Sequence, residues 1–135
     1  MPGHLVDRLG KMLNKHDKMI NGAKILVLGL AYLEDSDDTR NSPSEVLITH
    51  LNSLGAEVVV HDPFVDGYRN GLMELAADCD AVVLMVAHSA YKEIDLSTLH
   101  SKMKTPVFLD GRHVMDKEKM NQAGFDYYCV GVGNK

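Results

Sequence analysis

The stretch from Lys24 to Pro43, KILVLGLAYLEDSDDTRNSP, holds the residues best placed to do chemistry. Arg40 is a permanent cation with a planar fork of donors, suited to a phosphate or a carboxylate. It stands between the apolar run Ile25-Leu26-Val27-Leu28 and a helix start, Ser42-Pro43-Ser44-Glu45. Ser42 can cap the first free amides, Pro43 fits the first helical position, and Glu45 can reach back to close a capping box. The apolar run predicts a buried strand with a tight exit at Gly29. Strand, loop and helix in that order build a ligand site at the carboxyl end of a parallel strand. Two readings stay open for the loop. One is an anion site helped by the helix N-terminus; the other is a solvated acidic turn in which Arg40 pairs with Asp37 or Asp38.

Further candidates sit at other strand ends. Asp110-Gly111-Arg112 follows a predicted strand at the same edge, and Arg112 is either a surface cation or a second anion contact. His88 is either a capping or surface histidine or a ligand contact. Tyr32 either covers the loop or packs on a ring. Asp62 ends the second strand, where a dinucleotide fold would place its ribose-binding acid; beside Pro63 it reads as a turn and cap residue. Gly29-Leu30-Ala31-Tyr32 is not G-x-G-x-x-G, because the second glycine is missing. There is no Walker lysine motif and no receiver pattern of acids. The seven histidines and two cysteines show no metal-ligand spacing, and no Ser-His-Asp arrangement is evident.

The elements that must position these residues follow a strand–helix alternation. Predicted strands are 24–30, 57–61, 81–86, 106–109 and 125–130. Predicted helices are 43–54, 71–77, 95–102 and 116–123. Continuous apolar strands between amphipathic helices indicate an α/β fold: a Rossmann-like three-layer sandwich with a mainly parallel sheet of about five strands. A helix over residues 2–20, ended by Asn21-Gly22, precedes it, with Leu5, Leu9, Met12, Met19 and Val6, Leu13, Ile20 in its apolar stripe. That helix packs either on its own domain or against another subunit.

At 135 residues, 45% hydrophobic and 24% charged, the chain has the size and composition of one globular domain. A net charge of −5 with interspersed signs suggests no nucleic-acid face. No apolar run has transmembrane length, and the N-terminus lacks signal-peptide features. Cys79 and Cys129 read as reduced thiols of a cytoplasmic protein, a single disulfide being the alternative.

Taken together, VLGLAY at 27–32, DDTRNSP at 37–43, HDP at 61–63, DAVVLMVAH at 80–88 and FLDGR at 108–112 resemble the C-terminal, UDP-binding domain of the UDP-glucose/GDP-mannose dehydrogenase family, the UDP-sugar 6-dehydrogenases. The resemblance implies residues 1–22 as the end of a central connecting helix that carries homodimer contacts, and 23–135 as the UDP-binding domain. It implies a parent enzyme that oxidises a sugar alcohol to a uronate for polysaccharide synthesis. NAD would lie on a separate N-terminal domain and a catalytic cysteine outside this chain, so the chain alone would be inactive. It further implies that Gly29, Leu30, Ala31, Tyr32, Leu33 and Arg112 contact the UDP-sugar, and that Arg40 reaches toward NAD. The family's usual lysine after the aromatic residue is Leu33 here, which supplies neither charge nor hydrogen bonds. That departure motivates a second reading, a non-catalytic dimerisation scaffold that has lost nucleotide binding. A third is an NAD-binding Rossmann domain, against which the missing glycines count.

Overall fold

The computed structural model of the chain describes residues 2–31, 43–69 and 71–129. Five strands, β1 (Lys24–Leu28), β2 (Glu57–His61), β3 (Ala81–Leu84), β4 (Val107–Asp110) and β5 (Asp126–Cys129), form one parallel sheet in the order β2-β1-β3-β4-β5. The apolar runs become strands because the sheet is covered on both faces; Ile25–Leu28 and Ala81–Leu84 are wholly buried.

Side-chain alternation divides the core. Ile25, Val27, Ala81, Val83, Val107 and Leu109 face one layer, and Leu26, Leu28, Val82, Leu84 and Phe108 face the other. Helix α2 (Pro43–Ser53) makes the β1–β2 crossover and packs in the first layer through Leu47 and Leu51. Helices α3 (Leu72–Leu75), α4 (Leu96–Lys102) and α5 (Lys117–Gln122) serve the crossovers that run the other way and fill the second layer. Right-handed crossovers in opposite directions put their helices on opposite faces. The first face would therefore lie open over β3–β5.

Helix α1 (Pro2–Asn14) closes it. Leu5, Val6, Leu9, Met12 and Leu13 are buried against that face. At β5 the Arg8 guanidinium lies 4.2 Å from the centre of the Tyr128 ring, and His16 Nε2 and Lys15 Nζ lie 3.2 and 3.6 Å from Asp126 Oδ2. Of the two packing alternatives, the apolar stripe of α1 serves its own sheet. Its end differs from the expected one at Asn21-Gly22. Asp17 turns left-handed at φ +61°, its N–H donates to the Asn14 carbonyl, and the Lys18 N–H donates back to Leu13. This Schellman-type stop uses an aspartate, a residue that tolerates the left-handed region. Met19, counted in the predicted stripe, is left 67% exposed.

Strand and helix boundaries otherwise shift by at most two residues, as at β1, which stops at Leu28 because Gly29 adopts φ +102°. One element lacked any sequence signal: a 3-10 turn at Ser89–Glu93 that buries Tyr91.

Candidate functional site

The carboxyl ends of β1 and β3 adjoin at the point where the crossovers change direction, the position at which open α/β sheets bind ligands. Gly29 leaves β1 there. A Cβ on it would lie 2.6 Å from Val86 Cβ and 2.9 Å from the Val86 backbone nitrogen, so the residue needs both its left-handed φ and its bare Cα. On the other side of β3, Gly111 donates its N–H to the Leu84 carbonyl, and a Cβ on it would lie 2.9 Å from that oxygen. The two predicted ligand loops thus flank one short segment, Leu84–Val86.

The loop after β1 is organised by Asp62, which is fully buried just beyond β2. Its Oδ2 accepts the N–H groups of Leu30 at 2.8 Å and Ala31 at 2.9 Å and the His88 Nε2–H at 2.9 Å. Its Oδ1 accepts the Phe64 N–H at 2.8 Å. Burial pushes the carboxyl pKa up, but the N–H donors of Ala31, Phe64, His88 and Leu30 outweigh it and hold the group below its ordinary value. The Gly29 N–H is also taken, by the His61 carbonyl. None of these three amides is left for a phosphate, in contrast to a dinucleotide loop, whose amides face the pyrophosphate.

A second buried group supports this clamp. The Tyr91 hydroxyl donates to the His61 carbonyl at 2.8 Å and accepts from His61 Nδ1 at 3.1 Å, because its single hydrogen is already committed. Burial pushes the Tyr91 phenol up and the His61 imidazole down, the latter against the opposing pull of Asp62. The His88 ring packs between Tyr91 and Phe64, at centroid distances of 5.6 and 5.0 Å.

Asp110, the last residue of β4, is also fully buried. Its Oδ1 accepts the Arg112 N–H at 3.0 Å; its Oδ2 accepts the N–H groups of Val114 and Met115 and the Tyr127 hydroxyl, each at 2.8 Å. Arg112 itself is exposed, and none of the described carboxylates forms an ion pair with it.

Of the sequence-derived candidates, Gly29, Leu30, Ala31 and Arg112 come to one edge of the sheet. Leu30 and Ala31 are buried there, 7% and 1% exposed, with their amides bound to Asp62, so they shape the loop's exit from β1. Tyr32, Leu33, Asp37, Asp38, Arg40 and Ser42 lie outside the described residues. The surface alternative for His88 is corrected: the side chain is fully buried on Asp62. Asp62 does serve its own turn through Phe64, but chiefly it holds the neighbouring strand's loop. That makes it unavailable to a ribose. Sequence reasoning did not identify Asp62, Asp110 or Tyr127 as organising groups. The available signal was an aspartate closing an apolar strand before Pro63 or Gly111, where a buried acid must find donors.

Cys79 and Cys129 are both thiols. Burial pushes Cys79 up to about 11, so it is a core residue without thiolate character near neutral pH. No cluster of three or more metal-ligating side chains exists among the described residues, and no described helix is long and apolar enough to cross a membrane. The edge as described offers a rigid frame and an outward cation, features of a binding site.

A sequence profile for the UDP-glucose/GDP-mannose dehydrogenase family, UDP binding domain, matches residues 26–117. The chain is 35% identical over 124 residues to the UDP-glucose 6-dehydrogenase of Rhizobium meliloti, covering 83% of this chain and 28% of that protein. It is 31% identical over 134 residues to the UDP-N-acetyl-D-mannosamine dehydrogenase of Pyrococcus horikoshii, covering 99% of this chain and 31% of that protein. The solved structure of the UDP-D-ManNAc dehydrogenase from Pyrococcus horikoshii superposes with a TM-score of 0.89 at 29% identity, over 99% of this chain and 31% of that one. The NDP-N-acetyl-D-galactosaminuronic acid dehydrogenase from Methanosarcina mazei gives 0.89 at 32% identity, over 96% and 29%. The chain therefore spans under a third of the length of each of these relatives.

Proposed function

We propose that this chain, which belongs to the UDP-glucose/GDP-mannose dehydrogenase family as its UDP binding domain, holds the UDP part of a nucleotide sugar for an NAD-dependent UDP-sugar 6-dehydrogenase. The parent enzyme oxidises the sugar's primary alcohol to a uronate for polysaccharide synthesis in the cytoplasm. NAD and the catalytic cysteine belong to the rest of that enzyme, and this chain alone does not catalyse.

The observation that carries the reading is the flanking of Leu84–Val86 by two loops, one leaving β1 at Gly29 and one carrying exposed Arg112. In this reading Arg112 supplies charge and paired donors to the UDP-sugar. Gly29, Leu30 and Ala31 set the course of the segment leading to Tyr32 and Leu33, which contact the UDP-sugar with Tyr32 near the nucleotide, and Arg40 reaches toward NAD. The internally bound amides of residues 29–31 argue against the NAD-binding alternative for this chain.

Calorimetric titration with UDP, with NAD as control, tests this. Saturable UDP binding without NAD binding is expected, and Arg112→Ala should weaken UDP by roughly ten- to a hundredfold, the usual loss for a charge-assisted contact. Unchanged affinity in Arg112→Ala would count against the site. No UDP heat at millimolar concentration is the outcome the scaffold reading requires.

The homodimer is part of the same reading. Because the apolar stripe of α1 is occupied, dimer contacts on residues 1–22 fall on its polar side, at Asp7 and Lys11. Light scattering of the intact chain and of Lys11→Glu should show a dimer lost when the acidic side faces like charge across the two-fold axis; equal masses would remove this side of α1 from the interface.

A further inference from the structure

We propose that Asp110 is the positioning residue for Arg112: its buried carboxylate, braced by Tyr127, sets the loop that presents the Arg112 guanidinium at the carboxyl edge. This deepens the reading in which Arg112 contacts the UDP-sugar, and rests on it.

The geometry is that of a loop fixed at almost every backbone donor. Asp110 is 0% exposed and receives donors at both oxygens, from Arg112, Val114, Met115 and Tyr127. Its neighbour Gly111 is pressed onto the end of β3, with its N–H 2.9 Å from the Leu84 carbonyl and no room for a side chain. His113 is held left-handed at φ +58°, a conformation that side-chain-bearing residues avoid. The hydrogen bonds to Asp110 on either side offset that strain. Within this rigid frame the Arg112 side chain is turned outward and exposed. A backbone already ordered before the ligand arrives spares the ligand the cost of ordering it.

Tyr127 ties the device to the sheet. Its hydroxyl donates its single hydrogen to Asp110 Oδ2 at 2.8 Å, with the Met115 carbonyl 3.3 Å away, so β5 braces the loop through Asp110. Asparagine matches Asp110 in shape but not in accepting capacity. One oxygen becomes an NH2, and in either flip a donor then meets the N–H of Arg112 or those of Val114 and Met115.

The test is a double-mutant cycle on the intact chain, read as UDP affinity by calorimetry, with amide exchange of Val114 and Met115 followed in the absence of ligand. Asp110→Asn should weaken UDP by about tenfold and speed exchange at both amides, and Tyr127→Phe should weaken UDP by a smaller factor. In an Arg112→Ala background neither substitution should weaken UDP further, because the loss already runs through Arg112. Additive losses would overturn the proposal and leave Asp110 a structural residue only, as would unchanged affinity in Asp110→Asn. If Asp110→Asn does not fold, the Tyr127→Phe cycle decides by the same criterion. If instead Arg112→Ala leaves UDP affinity unchanged, or the wild-type chain binds no UDP, the reading of the site fails first and the positioning role falls with it.

Discussion

Asp62 beyond β2 and Asp110 at the end of β4 bind their loops through the same arrangement of donors, one strand to either side of the β1–β3 pair. In each, Oδ1 accepts the N–H two residues onward, from Phe64 or Arg112. In each, Oδ2 accepts two successive amides, Leu30 and Ala31 or Val114 and Met115, together with one ring-borne donor, His88 or Tyr127. A fully buried carboxylate is costly unless so provided, and here the provision also fixes the loops.

Substituting Asp62 should therefore cost stability in proportion to the donors stranded. Asp62→Asn turns an NH2 toward existing donors, and a loss of about 1–3 kcal/mol is expected. Asp62→Ala removes the acceptor of three amides and of the His88 Nε2–H, and the loss should be larger. Urea unfolding measures both; an Asp62→Ala chain as stable as wild type would show that the clamp contributes nothing.

Gly29 and Gly22 make a matched pair. Both have positive φ, +102° and +85°, but a Cβ on Gly22 meets nothing within 4 Å, whereas one on Gly29 strikes Val86. Gly22→Ala should cost about 1–2 kcal/mol for the left-handed backbone alone. Gly29→Ala should cost that plus about 1–3 kcal/mol of overpacking. Equal urea midpoints for the two variants would contradict the close approach to Val86.

Acid should destabilise the fold in two stages. The folded-state pKa of His61 is lowered from 6.5, chiefly by burial, against Asp62 and with help from His88. Below that value the unfolded chain binds a proton the folded chain resists, so stability falls as pH falls. Asp62 is lowered from 3.8 in the folded chain, and its contribution is present above that value and lost below it. Between about pH 7 and about pH 5 the stability gap between wild type and His61→Gln should shift in favour of the variant. A gap that does not change with pH would show that His61 titrates alike in both states.

The parallel sheet was legible because burial on both faces demands continuous apolar runs, and Ile25–Leu28, Ala81–Leu84 and Val107–Leu109 are such runs. The glycine exit at position 29 and the arginine at 112 were legible as types at strand ends. The stop of α1 at Asp17 was not, because a left-handed aspartate competes with a more obvious Asn-Gly a few residues later. Nor was the packing partner of α1, since an amphipathic stripe specifies that something apolar covers it and not what.

The sequence by itself determined the strand–helix alternation, the edge of the sheet at which its polar residues gather, and the family resemblance. Those depend on residue types and their spacing along the chain. Tertiary structure decided that Asp62 turns inward to the amides of Leu30 and Ala31, 32 and 31 residues away in the chain. It also decided that His88 follows it into the core and that Tyr127 braces Asp110 from the next strand. Hydrogen-bond partners of a buried carboxylate are chosen by which strands lie side by side, and that order emerges only when the crossovers have closed the sheet.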